Sequence, residues 1–314
     1  MSDDPYQSVP TQQLTVRSRL LKIPGLKLIA KVGDGGMAEV WKAWDIANQR
    51  LVAVKILDRK LAGDDGEVSQ FRTEAQMMEE IRHPGIVQAY SFGNGNGNWY
   101  FVMEYVDGYN FADLLRRKQH VSEADCLLIC ESVAVALDYA WNEHGIVHCD
   151  IKPENVMINA DGVVKVTDLG ISHQFRFCEG LQKAAEHVLG TPAYISPEQV
   201  YGDVEPDCRA DIYSLGATLY HLATGRVLFP GLDADAMMRA QCGDASQAKD
   251  PRMYRPELSE GFCQVLEAMM VKNRDYRIAS WKDVFLMCRD VESGVRFKPR
   301  DSETAKSSVS LVTK

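Results

Sequence analysis

Two stretches of this sequence hold side chains spaced for phosphate chemistry. GDGGMAEV, Gly33 to Val40, sets three glycines within four residues. Without a Cβ in the way, their backbone N–H groups can approach phosphate oxygens. Downstream, VAVK ends on Lys55 in a strand-like run, with Ala53 expected on the opposite face. Lys55 is a natural cation for the α- and β-phosphates of a nucleotide. Glu74, in the helical stretch that follows, is the natural anion to hold it. HCDIKPEN, His148 to Asn155, stands one letter from a specific catalytic signature, which has Arg where this chain has Cys149. Alone, the glycines are a weak signal, and an ordinary hairpin turn is the plainer alternative. A dinucleotide-binding loop needs a helix to follow, yet VWKAW has a strand pattern, and a Walker A loop needs a Gly-Lys-Ser/Thr that is missing.

These residues need elements to place them. LKLIAKV, VWKAW and LVAVKIL alternate apolar and polar residues, which predicts half-buried antiparallel strands. EVSQFRTEAQMMEEIR has helical spacing, with Phe71, Ala75, Met78 and Ile81 on one face, and His83-Pro84-Gly85 stops it. IVQAYSF and WYFVMEY predict two more strands, joined through GNGNGN by a hairpin. From Ser122, a suitable N-cap, to Gly145 runs a helix apolar on nearly every side, expected to be buried and central. Short strands in VMINADGVVKVTD lead to an irregular stretch ending near Pro206. Helices dominate from Asp207 to about Val291. The pattern is a small β-rich part followed by a larger helical one, with a hinge near Tyr105–Gly108, and ligands usually bind in clefts between such parts.

Bulk properties narrow the function. The chain has 314 residues, 46% of them hydrophobic, enough for one large or two small domains with a core. A net charge of -9 argues against a nucleic-acid surface. Eight cysteines without a CxxC pair suit a reducing cytoplasm, and Cys126 and Cys130, one helical turn apart, predict buried thiols rather than half a zinc site. No run approaches the roughly 20 apolar residues of a spanning helix, and the acidic, polar N-terminus is not a secretory signal.

The motifs stand in one order: Gly33-x-Gly35-x-x-Ala38-x-Val40, Val52-Ala53-Val54-Lys55, Glu74, His148-Cys149-Asp150 with Asn155, Asp168-Leu169-Gly170, and Ser196-Pro197-Glu198. On them the chain resembles a serine/threonine protein kinase, most of all the bacterial members, from about Leu26 to Val291. The resemblance implies an α+β, two-lobed fold: a flexible leader over 1–22, an N-lobe over 23–106, a C-lobe over 107–293 and a flexible tail over 294–314.

It also implies roles and cofactors, ATP and Mg²⁺. Asp150 accepts or orients the proton of the attacking hydroxyl, and Lys152 meets the γ-phosphoryl group. Asn155 and Asp168 are hard oxygen ligands for Mg²⁺. Val32, Gly33, Asp34, Gly35, Gly36, Met37, Ala38 and Val40 cover the nucleotide. Met103 is the gatekeeper, Glu104 and Val106 offer backbone groups to adenine, and Asn110 reaches the ribose. Ala53 and Met157, with Val32 and Val40, sandwich the ring. His148 is structural, Asp211 caps the backbone of the catalytic loop, and Glu198 pairs with Arg277. Lys152, two residues after Asp150, follows the serine/threonine pattern. Thr191 is expected to bond Asp150 and Lys152, and Glu154 either favours a basic substrate or is only a surface charge. A protein substrate follows, with a homodimer or a regulatory partner as alternative means of control.

The sequence departs from the pattern in ways that matter unequally. Ala38, Leu169 and Ser196 keep size or apolar character and leave the chemistry alone. Cys149 does not. In the family the Arg there docks a phosphate on the activation segment, a contact that orders the loop and that a thiol cannot make. Between Ser172 and Thr191 there is no Ser or Thr. Phosphate and receiver are missing together, so catalysis is expected to survive and the phospho-switch is not. A redox switch at Cys149 and Cys178 is the weaker reading, against a packed, unreactive Cys149 and an incidental Cys178. Alternatives from other classes are a pseudokinase scaffold, opposed by the full set of Lys55, Glu74, Asp150, Asn155 and Asp168, and a small-molecule kinase, opposed by the block from Gly190 to Glu198. The Ser/Thr-rich end (Ser302, Thr304, Ser307, Ser308, Ser310, Thr313) either takes autophosphorylation or is an ordinary solvated tail, which is often rich in these residues.

Overall fold

The computed structural model describes residues 21–35, 37–169, 191–202, 204–243 and 248–294. The chain divides into two compact units, the first formed by Met1–Glu79 with Gln88–Tyr105, the second by Glu80–Val87 with Val106–Lys314.

Among its described residues, the first unit holds an antiparallel sheet and one long helix. Strands β1 (Leu26–Asp34), β2 (Ala38–Asp45), β3 (Arg50–Leu57), β4 (Ala89–Gly95) and β5 (Asn98–Glu104) lie in the order β1-β2-β3-β5-β4. Strand alternation turns Leu28, Trp41, Ala43, Val52, Val54, Ile56 and Val102 into one core with Ile23. That same period corrects one expectation: Ala53 and Lys55, two apart on β3, share a face, as their partners Met103 and Phe101 do on β5. Asn96 and Gly97, at φ 53° and 76°, make the two-residue turn between β4 and β5. The other residues of GNGNGN belong to the strands, with Gly95 paired to Asn98.

Helix α1 (Asp65–Glu80) starts two residues earlier than its apolar spacing suggests. Asp64 accounts for this, its Oδ1 accepting the N–H groups of Gly66 at 2.8 Å and Glu67 at 3.1 Å. Phe71, Ala75 and Met78 are buried along it, together with Glu74.

Strand β4 begins at Ala89, not Ile86. The backbone of 85–87 is already committed to the second unit. Val166 donates to the Gly85 carbonyl and Val87 donates to the Val166 carbonyl.

The second unit contains a small sheet, β6 (Gly108–Asn110), β7 (Val156–Asn159) and β8 (Val164–Val166), and helices α2 (Phe111–Lys118), α3 (Glu123–His144), α4 (Pro197–Tyr201), α5 (Cys208–Thr224), α6 (Ala234–Cys242), α7 (Glu260–Met269) and α8 (Trp281–Glu292). Helix α4 falls inside the stretch expected to be irregular. Ser122 caps α3, and Gly145 ends it in the left-handed conformation at φ 64°. Cys126 and Cys130 are fully buried on α3, but Leu128 and Val135 are exposed, so the helix is not enclosed all round. Helix α5 is buried along nearly its whole length. Among the described residues, no helix is long and apolar enough to cross a membrane.

Candidate functional site

In the first unit, Lys55 on β3 meets Glu74 on α1, Nζ to Oε1, at 2.7 Å. Both are sheltered, with side-chain exposures of 17% and 9%, so the pair is screened less than a surface ion pair. The ammonium also lies 5.4 Å from the centre of the Phe101 ring. The hairpin of β1 and β2 carries the glycine cluster, with Gly33 opposite Val40 and Asp34 opposite Glu39. Gly35 N–H donates to the Ala38 carbonyl at 3.0 Å and closes the turn. A Cβ on Gly33 would sit 3.3 Å from the Val40 Cβ, and one on Gly35 would sit 3.3 Å from the Ala38 oxygen. Both glycines therefore keep the hairpin tight and its backbone bare. Val32 and Met37 are exposed, Val40 is half-buried, and Ala53 and Met103 are buried side by side on paired strands. Glu104 N–H donates to the Gln88 carbonyl at 2.8 Å. Gly36 lies outside the described residues.

In the second unit the chemistry gathers around Asp150. Lys152 Nζ donates to Asp150 Oδ2 at 2.6 Å and to Thr191 Oγ1 at 3.1 Å. Lys152 thus joins the loop to Thr191, and no direct bond from Thr191 to Asp150 is needed for that link. Asn155, at the end of a 3₁₀ turn (Pro153–Asn155), donates through Nδ2 to the Asp150 carbonyl at 2.8 Å and to its Oδ2 at 3.2 Å. With its nitrogen committed, the Asn155 amide presents Oδ1 on its other side. Thr167 N–H donates to the Asn155 carbonyl at 3.0 Å, which keeps Asp168, the next residue, beside the same loop. Asp168 holds a left-handed backbone at φ 52°, a conformation that costs energy for a non-glycine residue and collects at working sites. An amide oxygen and a carboxylate are the hard donors that Mg²⁺ prefers, so the residues present fit that ion.

Beneath this cluster, His148 is fully buried and joins both strings: its Nδ1 accepts from Asp150 N–H at 3.3 Å and its Nε2 lies 3.0 Å from the Thr167 carbonyl. An N–H at one nitrogen and a carbonyl at the other require the neutral ring with its proton on Nε2. Burial lowers its pKa, in keeping with that form. Asp211 on α5 accepts the N–H groups of His148 at 2.6 Å and Cys149 at 2.7 Å, one on each carboxylate oxygen. Burial pushes this carboxyl up to about 7 against the pull of both donors. Cys149 has φ 64° and is 2% exposed, and burial pushes its thiol well above the ordinary value. Its carbonyl accepts from Gln199 Nε2 at 2.8 Å.

Glu198 on α4 meets Arg277, with bonds of 2.7 and 2.9 Å to its two carboxylate oxygens. Val106 is buried. Asn110 caps α2, its Oδ1 accepting Asp113 N–H at 2.8 Å, and Met157 on β7 pairs with Asn110 and Lys165. Glu154 is exposed. Gly170, residues 171–190 with Ser172 and Cys178, and the Ser/Thr-rich end lie outside the described residues.

Two further residues enter the site without a motif to announce them. Gln199 is legible in part, since Ser196 with Gln199 spells a capping box, and both halves of that box are formed. Its bond to the Cys149 carbonyl is a tertiary contact across 50 positions. Gln241 on α6 is silent in the sequence.

Comparisons with known proteins point one way. Residues 26–286 match the family described as "Protein kinase domain". The chain is 37% identical over 258 residues to the probable serine/threonine-protein kinase PknB of Bifidobacterium longum, covering 79% of this chain and 37% of that one. It is 38% identical over 260 residues to the serine/threonine-protein kinase PrkC of Bacillus subtilis, covering 82% of this chain and 39% of that one. The chain therefore spans about two fifths of the length of these relatives. Among solved structures, the Mycobacterium tuberculosis PknI kinase domain aligns with a TM-score of 0.65 at 25% identity, over 86% of this chain and 97% of that one.

Proposed function

The chain belongs to the protein kinase family, of the bacterial serine/threonine type, and on that premise we propose that it transfers the γ-phosphoryl group of ATP to a serine or threonine hydroxyl of a protein, with Mg²⁺, and without a phosphate switch on its activation segment. Its lobes are 23–106 and 107–293, flanked by segments 1–22 and 294–314, and its place of work is the cytoplasm, in signalling.

The wiring of Asp150 supports this most directly. One carboxylate oxygen, Oδ2, accepts from Lys152 and Asn155, so the side chain is aimed before any substrate arrives. Asp150 takes the proton of the acceptor hydroxyl, and Lys152 offers positive charge where the transferring group gathers negative charge. Thr191 holds Lys152 from the other side. Lys55, fixed by Glu74, binds the α- and β-phosphates. The Gly33–Val40 hairpin lies over the phosphates. Glu104 and Val106 contribute backbone groups to adenine, and apolar contact with the ring is assigned to Met103, Ala53, Val32, Val40 and Met157. Asn110 reaches the ribose through Nδ2, since its Oδ1 caps α2. Asn155 and Asp168 would hold Mg²⁺, which when bound neutralises phosphate charge.

Position 149 supports the missing switch. Its side chain is a buried, neutral thiol where a phosphate receiver would have to be an exposed cation. The loop keeps its shape all the same, because Asp211 and Gln199 hold the main chain of that residue.

Incubation with labelled ATP, Mg²⁺ and a generic basic protein tests the reaction. Asp150→Asn and Lys55→Met should each reduce transfer by about a hundredfold or more with the circular dichroism unchanged. A fully active Asp150→Asn variant would sink the assignment. Phosphatase-treated and untreated enzyme should turn over alike. An activity loss that follows a phosphate within residues 172–191 would overturn the switch-free part.

A further inference from the structure

Thr191 begins a tight turn closed by the bond from Tyr194 N–H to the Thr191 carbonyl at 2.9 Å. Such a turn uses its outer polar groups and leaves the carbonyls of its two central residues, here Pro192 and Ala193, to find donors elsewhere. One side chain serves both. Gln241, on α6 and with no exposed surface, donates through Nε2 to the Pro192 carbonyl at 3.2 Å and to the Ala193 carbonyl at 3.1 Å. Its Oε1 accepts the Tyr213 hydroxyl at 2.5 Å. Two carbonyls at one end and a hydroxyl at the other fix the amide's orientation.

Gln241 is itself held rigidly. Lys272 Nζ, from a buried residue, donates to the Ala240 carbonyl at 2.8 Å and also to that of Gly243, while the Tyr201 hydroxyl donates to the Cys242 carbonyl at 3.4 Å. The Ala240 and Cys242 carbonyls at the end of α6, and that of its cap residue Gly243, are thus taken by side chains from other elements. Tyr213, in turn, lies against the Arg277 guanidinium, 5.0 Å from ring centre to Cζ. A continuous string runs from the buried Glu198–Arg277 pair through Tyr213 and Gln241 to the turn that seats Thr191 on Lys152.

Resting on the kinase reading above, we infer that Gln241 is a positioning residue for the protein substrate: it fixes the Thr191–Tyr194 turn, and through Thr191 and Lys152 the place where the acceptor hydroxyl meets Asp150. The nucleotide is bound by other residues, so the effect falls on the acceptor. Gln241→Glu tests this with one exchanged group, because a carboxylate oxygen then faces two carbonyl oxygens at about the distances now spanned by hydrogen bonds. Tyr213→Phe is the milder probe, removing only the hydroxyl that orients the amide.

Initial rates with Mg²⁺-ATP and a generic basic protein, varying each substrate in turn, give the readout. Gln241→Glu should raise KM for the protein, or lower its kcat/KM, by about tenfold or more while KM for ATP moves less than about twofold. Tyr213→Phe should shift the protein parameter the same way by about two- to threefold, and this variant decides the matter should Gln241→Glu not fold. Gln241→Met, which removes the donors without adding charge, should fall between them. Equal losses toward ATP and protein would show a general structural role and overturn the inference, as would unchanged protein kinetics in Gln241→Glu or, failing that, in Tyr213→Phe. A wild-type enzyme that transfers nothing to any protein would defeat the parent reading instead.

Discussion

Arg277→Met should be among the most damaging single changes outside the catalytic loop. The guanidinium side chain has no exposed surface and its Glu198 partner is 6% exposed. All five N–H groups are used: Nε on the Val271 carbonyl at 2.8 Å, one terminal nitrogen on Glu198 and the Arg209 carbonyl, the other on Glu198 and the Lys272 carbonyl. Methionine fills most of the volume but strands a buried carboxylate and removes donors from the Val271, Lys272 and Arg209 carbonyls. Breaking a buried pair from one side costs about 3–5 kcal/mol, and the donors lost to the carbonyls push toward the upper end. Arg277→Lys keeps the charge but cannot span both carboxylate oxygens and the three carbonyls, so it should cost about 2–3 kcal/mol. Replacing the pair together, Glu198→Leu with Arg277→Met, removes the stranded charge, so the double variant should be less damaged than the sum of the singles by about 3 kcal/mol. Urea unfolding followed by circular dichroism, with midpoints compared at constant slope, measures each corner. Single changes costing under about 1 kcal/mol, or strictly additive effects, would show that the pair does not anchor α4 to this unit.

Two other outcomes follow from burial. His148 and His221 both have pKa values lowered by desolvation, so their contribution to stability is present above the unfolded value of 6.5 and is lost as pH falls below it. Asp211, raised from 3.8 to about 7, acts the other way, its contribution declining as pH rises across that window. His83 is lowered in the same way, and the histidines together should make stability fall as pH drops from 7 toward 5.5, opposed by Asp211. Urea midpoints at fixed ionic strength check this, and stability still rising from pH 7 to 5.5 would contradict it. Cys149, buried with a raised pKa, should resist iodoacetamide at pH 7.5 in the native protein and react once the protein is unfolded, as peptide mapping would show. Rapid native labelling at Cys149 would mean that the loop opens far more than its bonds allow.

Local rules made much of this legible. Strand alternation, the stop after α1 and the caps at Ser122 and Gly145 each depend on neighbours within a few residues, and those elements could be placed from spacing. Lys55 and Glu74, 19 positions apart, are within reach because one strand and one helix face need only one geometry to join them. What escaped depends on partners far along the chain. Ile86 looks like the start of a strand, yet the backbone around it is taken by Val166, 80 residues later. Gln241 sits in an unremarkable amphipathic helix, and nothing near it hints at a turn 48 positions earlier whose carbonyls need donors. Asn110 could be placed near a ribose by resemblance, but its bond to Asp113 N–H caps α2, a local role that the resemblance does not give.

Position 149 shows how a loop can keep its form without a charged side chain there. Residue 149 takes a left-handed backbone, φ 64°, which a β-substituted side chain resists wherever it is not held. Here it is held through the main chain, with Asp211 on the N–H and Gln199 on the carbonyl, and neither partner asks what the side chain is. An arginine there would add a cation able to reach a phosphate, and a cysteine adds only packing. The shape of the loop is therefore separable from the side chain at this position. The shape belongs to Asp211 and Gln199, so Gln199→Leu, which leaves the Cys149 carbonyl buried without its donor, should lower transfer, whereas Cys149→Ser at the same position should leave it largely unchanged. Comparing turnover of the two variants under identical Mg²⁺-ATP distinguishes them, and the reverse order would mean that the thiol itself carries the loop.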